Sequence, residues 1–414
     1  MSAADERIVL VGAGQCAASA ASTLRARGFD GEIVLVGAES EPPYERPPLS
    51  KDYLLGETSA EQLLVRPAAW YAENAIELLR GTSVTGVDPE QRAVTLSTGE
   101  SLSYHRLLIA TGGSPRRLPG VDGERILTLR ERADADRLAT CLRSSERLVI
   151  LGGGFIGCEV AACARAAGAD VTILEMQAHP LAAVLGTRVA EIVSRVHRDA
   201  GVTLRTGARV TSVTELPDGL AVETDRGSIE CSRLLVAIGL APNVGFLADS
   251  PVACGDGVLV DELCATNVPG IYAAGDVAAH HHPTFGRHIR VEHYDNAIKQ
   301  GAAVAASMLG EGEPFVDPHW FWSDQHGHNL QSVGFPAGCD EVIVRGDPDA
   351  LSFSVFYLQD RVVRSVFAID RAKDVSVGRR MVLGEFRPDP ALLRDPDVDL
   401  RRMLSGRLRR AQAA

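Results

Sequence analysis

Lysine is scarce in this chain: only Lys51, Lys299 and Lys373 occur among 42 basic residues, and no basic tract interrupts the sequence before the tail Arg401–Arg410. With 54 aspartates and glutamates the formal net charge is −12. Such a chain lacks the positive stripe that nucleic acid demands, which argues against nucleic acid as its partner. No apolar run approaches the roughly 18–20 residues of a membrane helix, so no membrane role is expected. Asp5-Glu6-Arg7 leads straight into a short apolar strand, without the basic, long-apolar and cleavage-site order of a secretory signal, so a cytoplasmic location is expected.

Metal-ligand spacing is absent too. The eight cysteines form no C-x-x-C pair and no Cys/His cluster, and three adjacent histidines, His280 to His282, cannot all face one ion. No metal site is therefore expected. Cys158 and Cys163 do have the C-x4-C spacing of a redox pair. They fall on one helical stretch, however, where residues five apart point roughly 140° away from each other. Packing is the simpler reading for both thiols. No Ser/His/Asp nucleophile arrangement emerges either.

At 414 residues the chain is too long for a single core, and two or three domains are expected. It is organised around Leu148 to Glu175. An apolar run, Leu148–Leu151, meets Gly152, Gly154 and Gly157 at G-x-G-x-x-G spacing; an alanine-rich segment follows, then Val171–Leu174 and Glu175. This is the strand–turn–helix–strand unit that binds a dinucleotide. Its glycines serve the tight turn, the approach of the pyrophosphate and the packing of helix on strand. The helix N-terminus offers free N–H groups to the phosphates. An acid at the tip of the second strand suits the ribose hydroxyls of NAD and repels the 2′-phosphate of NADP, and no arginine follows in Met176-Gln177-Ala178.

Residues 7–39 repeat the pattern. Ile8–Val11 is followed by Gly12, Gly14 and Ala17, an alanine-rich helix, the strand Ile33–Gly37 and then Glu39. Alanine is tolerated at the third position because that site governs packing. Two such units imply two nucleotides, and the natural pair is a flavin dinucleotide with a nicotinamide dinucleotide.

Between them lies Pro42-Pro43-Tyr44-Glu45-Arg46-Pro47-Pro48-Leu49-Ser50-Lys51, a stretch whose prolines fix an extended or turning backbone. With Ala110–Arg116, Gly152–Glu159, Ala237–Asn243, Ile271–Asp276 and Trp320–Gln325, it makes the chain resemble the FAD-dependent NADH:ferredoxin reductases of bacterial oxygenase systems. The resemblance covers nearly the whole chain, in order. It implies an α/β fold with two Rossmann-like dinucleotide-binding domains of the glutathione-reductase type and a C-terminal α+β domain. The implied domains are 1–113 with 247–325 for FAD, 114–246 for NAD, and 326–414 at the C-terminus. Beyond Asp340 the pattern does change, to strands at Glu341–Arg345, Leu351–Leu358 and Arg361–Ile369 and a helix from about Lys373. Arg401–Arg410 reads as a basic helix or tail with a solvated face.

The resemblance also implies roles. Gly12, Gly14, Ala17, Thr111, Gly112 and Asp276 would hold FAD, with Glu39 at the adenosine ribose and Arg46 at the phosphates. Relatives place that first acid one residue earlier, where this chain has Ala38. Lys51 would lie at the flavin N5 edge. Gly152, Gly154, Gly157 and Glu175 would hold NADH, and Glu159 would contact its carboxamide. Arg290–Gln300 matches a tract beside the flavin, with Tyr294 where relatives often carry tryptophan. Trp320 or Trp322 would lie near the isoalloxazine, and Trp322, with Lys51 and Glu159, is taken as catalytic. The implied activity takes hydride from NADH and passes single electrons to a [2Fe–2S] ferredoxin supplying a cytochrome P450 or Rieske oxygenase. The partner would be acidic and dock near the flavin and the C-terminal domain. A rubredoxin, quinone or disulfide reductase of the same superfamily stays open, as does a signalling flavoprotein like apoptosis-inducing factor, although that role calls for a basic surface.

Overall fold

A computed structural model describes residues 6–143 and 147–406. It forms two compact units. One holds the described residues up to 48 with 58–114 and 240–317; the other holds 49–57, 115–239 and the chain from 318 onward. Residues 407–410 of the basic tail lie outside the described residues.

The first unit is built on a five-stranded parallel sheet in the order Ile271–Ala273, Arg106–Ile109, Arg7–Val11, Glu32–Gly37, Ile76–Arg80. Its inner strands are apolar without a break, as a sheet covered on both faces requires. Side chains alternate between the faces. Ile8, Leu10 and Leu35 pack under the helices Gln15–Ala26 and Tyr294–Met308, while Val9, Val11, Val34 and Val36 face a second cluster with Val258, Val260 and Leu247. Ile8, Val9 and Leu10 are fully buried, and each such side chain contributes about 1.5–3 kcal/mol relative to exposure.

The second unit repeats the plan with the parallel order Thr203–Thr206, Asp170–Glu175, Arg147–Leu151, Arg233–Val236, Ile126–Leu127. Leu148 and Ile150 face the helix Phe155–Ala166, and Val149 and Leu151 face a three-stranded antiparallel sheet, Val210–Leu216, Gly219–Thr224 and Gly227–Cys231. The same unit carries an antiparallel sheet in the order Trp320–Gln325, His328–Gly334, Val362–Ile369, Ser352–Gln359, Glu341–Asp347. One face of it packs on the helix Ala372–Leu383 through Val375, Met381 and Val382. The other takes Leu181, Leu185, Val189 and Val193 from the nucleotide-type half. The α/β fold class with a C-terminal α+β portion therefore holds. Among the described residues no helix is long and apolar enough to cross a membrane.

Candidate active site

The two glycine turns have the form a pyrophosphate needs. Gly12 and Gly152 sit at φ of +106° and +108°, and a Cβ on either would fall 2.3 Å from a carbonyl, that of Ala110 or of Ala237. No residue but glycine fits there. Gly14 and Gly154 are N-caps with no side-chain cap, and a Cβ on either would meet only open space. Each helix thus presents uncapped amides to an open cradle, which is how a helix end receives an anion. Gly157 plays the packing part, since a Cβ there would lie 2.1 Å from the Gly152 carbonyl. The donor set around both turns therefore fits a dinucleotide.

At the second turn, Glu175 Oε2 accepts from the Gly153 amide at 2.7 Å and Oε1 from the Gln177 amide at 2.7 Å. Strand tip and glycine turn are locked together by one carboxylate. Its lone pairs exceed those two bonds, so capacity remains for ribose hydroxyls.

At the first turn, Glu39 is already engaged. Tyr44 donates to its Oε2 at 2.5 Å and Arg46 Nη2 to its Oε1 at 2.5 Å, while Arg46 Nη1 donates to the Tyr44 hydroxyl at 3.0 Å. The proline-rich stretch is thereby tied to the strand end. Thr111 and Gly112 are stitched to Asn243. The Thr111 hydroxyl donates to the Asn243 carbonyl at 2.8 Å, the Asn243 side-chain amide returns to the Thr111 carbonyl at 3.0 Å, and the Asn243 amide donates to the Gly112 carbonyl at 3.0 Å. Asp276 lies in a 3-10 turn, Gly275–Val277, whose first amide donates to Gln300 Oε1 at 2.7 Å. No helix follows that turn directly. A strand, Ala278–His282, intervenes, and the helix packed on the turn is Tyr294–Met308, which supplies Gln300 and the buried Asn296.

Lys51, Glu159 and Trp322 come together within the second unit, although 271 residues of chain separate the first from the last. The short helix Asp52–Leu55 anchors Lys51, with Leu54 in the core and the Tyr53 hydroxyl donating to Asp136 at 2.7 Å. Lys51 Nζ lies 2.8 Å from Glu159 Oε2 and 5.9 Å from the centre of the Trp322 ring. Ser50 also donates to Oε2, and the Ser323 hydroxyl donates to Oε1 at 2.7 Å. Glu159 is 3% exposed and is the fifth residue of a helix that starts at Phe155, beyond the first turn. The helix end alone therefore does not account for an acid there, because that field fades within one turn. Trp322 stacks on Trp320 with ring centres 5.3 Å apart and planes at 19°. Trp320 in turn donates to Gln331 Oε1 at 3.2 Å.

The thiols are packing groups. Cys158 and Cys163 are both buried and free. Burial, reinforced by Glu159, raises the Cys158 thiol well above its ordinary range and pushes Cys163 up to about 12. Cys163 Sγ points at the Ser50 carbonyl, 3.1 Å away, and so supports the Lys51 segment. His280 and His282 share one face of their strand and donate to the carbonyls of Glu262 and Asp317, whereas His281 faces His288 across the hairpin. Among the described residues no group of His, Cys, Asp or Glu has the arrangement of a metal site. Of the residues that surround or extend the Glu159 cluster, Ser50, Ser323 and Gln325 lie in the stretches Pro42–Lys51 and Trp320–Gln325 but have no role read from them, and His197 and His326 carry no sequence signal. They meet Glu159 only through the fold.

Comparison with known proteins adds the following. The model of the pyridine nucleotide-disulphide oxidoreductase family matches residues 6–301, and that of the reductase C-terminal family matches 320–404. The chain is 37% identical to a 5,5′-dehydrodivanillate O-demethylase ferredoxin reductase subunit of a Sphingobium species, over 95% of this chain and 97% of that protein. It is 38% identical to the ferredoxin–NAD(+) reductase component of the anthranilate 1,2-dioxygenase system of Burkholderia cepacia, over 96% and 98%. Among solved structures, the covalent putidaredoxin reductase–putidaredoxin complex superposes with a TM-score of 0.94 at 36% identity, covering 97% of this chain and 99% of that one.

Proposed function

The chain belongs to the pyridine nucleotide-disulphide oxidoreductase family, and from that footing we propose that it is an FAD-dependent NADH:ferredoxin reductase serving a cytochrome P450 or Rieske oxygenase. The observation that carries this reading is that its likeness to ferredoxin reductases runs through both glycine turns and on through the C-terminal sheet. We place it in the cytoplasm, with its electron donor, and divide it into an FAD portion (1–113 and 247–325), an NAD portion (114–246) and a C-terminal portion (326–414).

FAD, when bound, supplies the chemistry that links a two-electron donor to a one-electron acceptor. The chain's own residues do the rest. Gly12, Gly14 and the amides behind Ala17 receive the first pyrophosphate, with Arg46 beside it and Glu39 at the ribose. Thr111, Gly112 and Asp276 complete that site. Gly152 and Gly154 receive the second pyrophosphate, and Gly157 lets the helix close on that turn. Glu175 takes the adenosine ribose, and its charge turns away a 2′-phosphate, which favours NADH over NADPH. Glu159, held by Lys51, Ser50 and Ser323, orients the nicotinamide carboxamide, and Lys51 offers a cation to the flavin edge. Trp320 and Trp322 give an aromatic surface toward an acidic [2Fe–2S] ferredoxin docked near the flavin and the C-terminal sheet. A disulfide reductase is disfavoured, because the C-x4-C thiols are buried and held protonated.

The test is a coupled assay. NADH should drive rapid cytochrome c reduction only when a [2Fe–2S] ferredoxin is supplied. Equal rates without the ferredoxin, or rapid turnover of a disulfide instead, would overturn the proposal.

A further inference from the structure

Glu159 Oε1 stands at the end of a line of buried side chains. It accepts from Ser323 Oγ at 2.7 Å, and Ser323 Oγ accepts from Gln325 Nε2 at 2.9 Å. Gln325 Oε1 lies 3.0 Å from His197 Nε2, and His197 Nδ1 lies 3.0 Å from His326 Nε2. Ser323, Gln325 and His197 are 0%, 1% and 0% exposed, and only His326 reaches toward solvent. Three elements contribute: the helix of Glu159, the helix Thr187–Asp199, and the strand Trp320–Gln325 with its turn.

The direction of every bond follows from the carboxylate. Paired with the Lys51 ammonium, Glu159 has no proton to give, so Ser323 donates to it and receives from the Gln325 NH₂ group. Gln325 then turns its carbonyl oxygen to His197, whose Nε2 must carry the hydrogen. Burial, with the neighbouring His326, holds His197 neutral down to about pH 4, so its Nδ1 is bare and accepts from His326 Nε2–H. All four donors point toward Glu159. Hydrogen bonds aligned in this way polarise one another.

The far end is also fixed. His326 and Gly327 form a two-residue hairpin turn with φ of 51° and 80°. A left-handed conformation disfavours any residue but glycine, although histidine is among those enriched there. It sets the His326 ring edge-on to His197, ring centres 4.7 Å apart. A core built only to be stable would place apolar residues here, since a buried polar line contributes little beyond satisfying itself.

We infer that His197, Gln325 and His326 are positioning residues that fix the Glu159 carboxylate through Ser323, leaving Oε2 to Lys51 and Ser50. The inference rests on reading Glu159 as the nicotinamide contact.

The test uses the full FAD-loaded chain with three measurements: the stopped-flow rate of flavin reduction by NADH, calorimetric NAD⁺ affinity, and tautomer-resolved nitrogen spectra of the histidines. Gln325→Leu and His197→Leu should each lower rate and affinity about tenfold, about 1.4 kcal/mol. His197→Gln, which keeps a donor where Nε2 stood, should stay within about twofold. In a Glu159→Ala background Gln325→Leu should change nothing further. The spectra should show His197 and His326 neutral and protonated at Nε2. Should His197→Leu fail to fold, Ser323→Ala cuts the same line with the smallest change and should show the same loss. Equal losses with and without Glu159, no loss in any cut variant, or a His197 protonated at Nδ1 would overturn the inference alone. Full NAD⁺ affinity and reduction rate in Glu159→Ala would instead overturn the reading of Glu159 on which it rests.

Discussion

Lys51 Nζ lies 2.8 Å from Glu159 Oε2, with 13% of the lysine side chain and 4% of the glutamate side chain exposed. Breaking a buried pair leaves an uncompensated charge and typically costs about 3–5 kcal/mol, whereas replacing both partners costs far less. Lys51→Met should therefore destabilise the chain more than Lys51→Met with Glu159→Gln. Urea denaturation followed by circular dichroism reads the difference. A double variant less stable than the single one would contradict it.

Glu175 joins the Gly153 and Gln177 amides with one carboxylate, and the exposed Met176 follows it. Glu175→Ala combined with Met176→Arg should move the kcat/KM ratio of NADPH to NADH upward by about a hundredfold, equivalent to about 3 kcal/mol. Steady-state kinetics with both nucleotides decides this. Unchanged discrimination would remove Glu175 from the ribose site.

Cys158 and Cys163 are buried thiols on one helix. The double variant Cys158→Ala/Cys163→Ala should keep NADH-dependent turnover within about twofold, because neither thiol is ionised near neutral pH. Iodoacetamide at pH 8 should leave both unmodified in the folded protein. Turnover abolished by the double variant would restore a redox role to the pair.

His197 and His293 are both held by burial at about 4, below the ordinary 6.5. The unfolded chain takes up these protons first as pH falls through about 6.5, while the folded chain resists until about 4. Stability is thus greatest above 6.5 and is lost on acidification across that window, by about 3 kcal/mol for one fully buried imidazole. Thermal midpoints from pH 7.5 to 5 should fall, and the fall should be shallower in His197→Gln. A flat profile would contradict the burial account.

The two glycine turns were legible because their signals are local. A strand, its turn and its helix lie within about 30 residues, and the parallel strands read as unbroken apolar runs. The strands expected at 341–345, 351–358 and 361–369 are present at Glu341–Asp347, Ser352–Gln359 and Val362–Ile369 for the same reason. The strand Ala278–His282, which follows the turn at Gly275-Asp276, was not legible, because Ala-Ala-His-His-His shows no alternation although its histidines face opposite sides. The Glu159 cluster was only half legible. Lys51 and Glu159 were each singled out, but their pairing across 108 residues, and the line through His197 and Gln325 across 128, exist only once helix and sheet pack. Single polar residues in apolar surroundings leave no periodic trace.

The central claim is that electrons enter as a pair from NADH and leave singly to an iron–sulfur protein. The most direct measurement mixes the FAD-loaded chain, without oxygen, with limiting NADH and excess oxidised [2Fe–2S] ferredoxin, following the ferredoxin spectrum. The account predicts two ferredoxins reduced for each NADH consumed. NADH consumed with the ferredoxin left oxidised would contradict it.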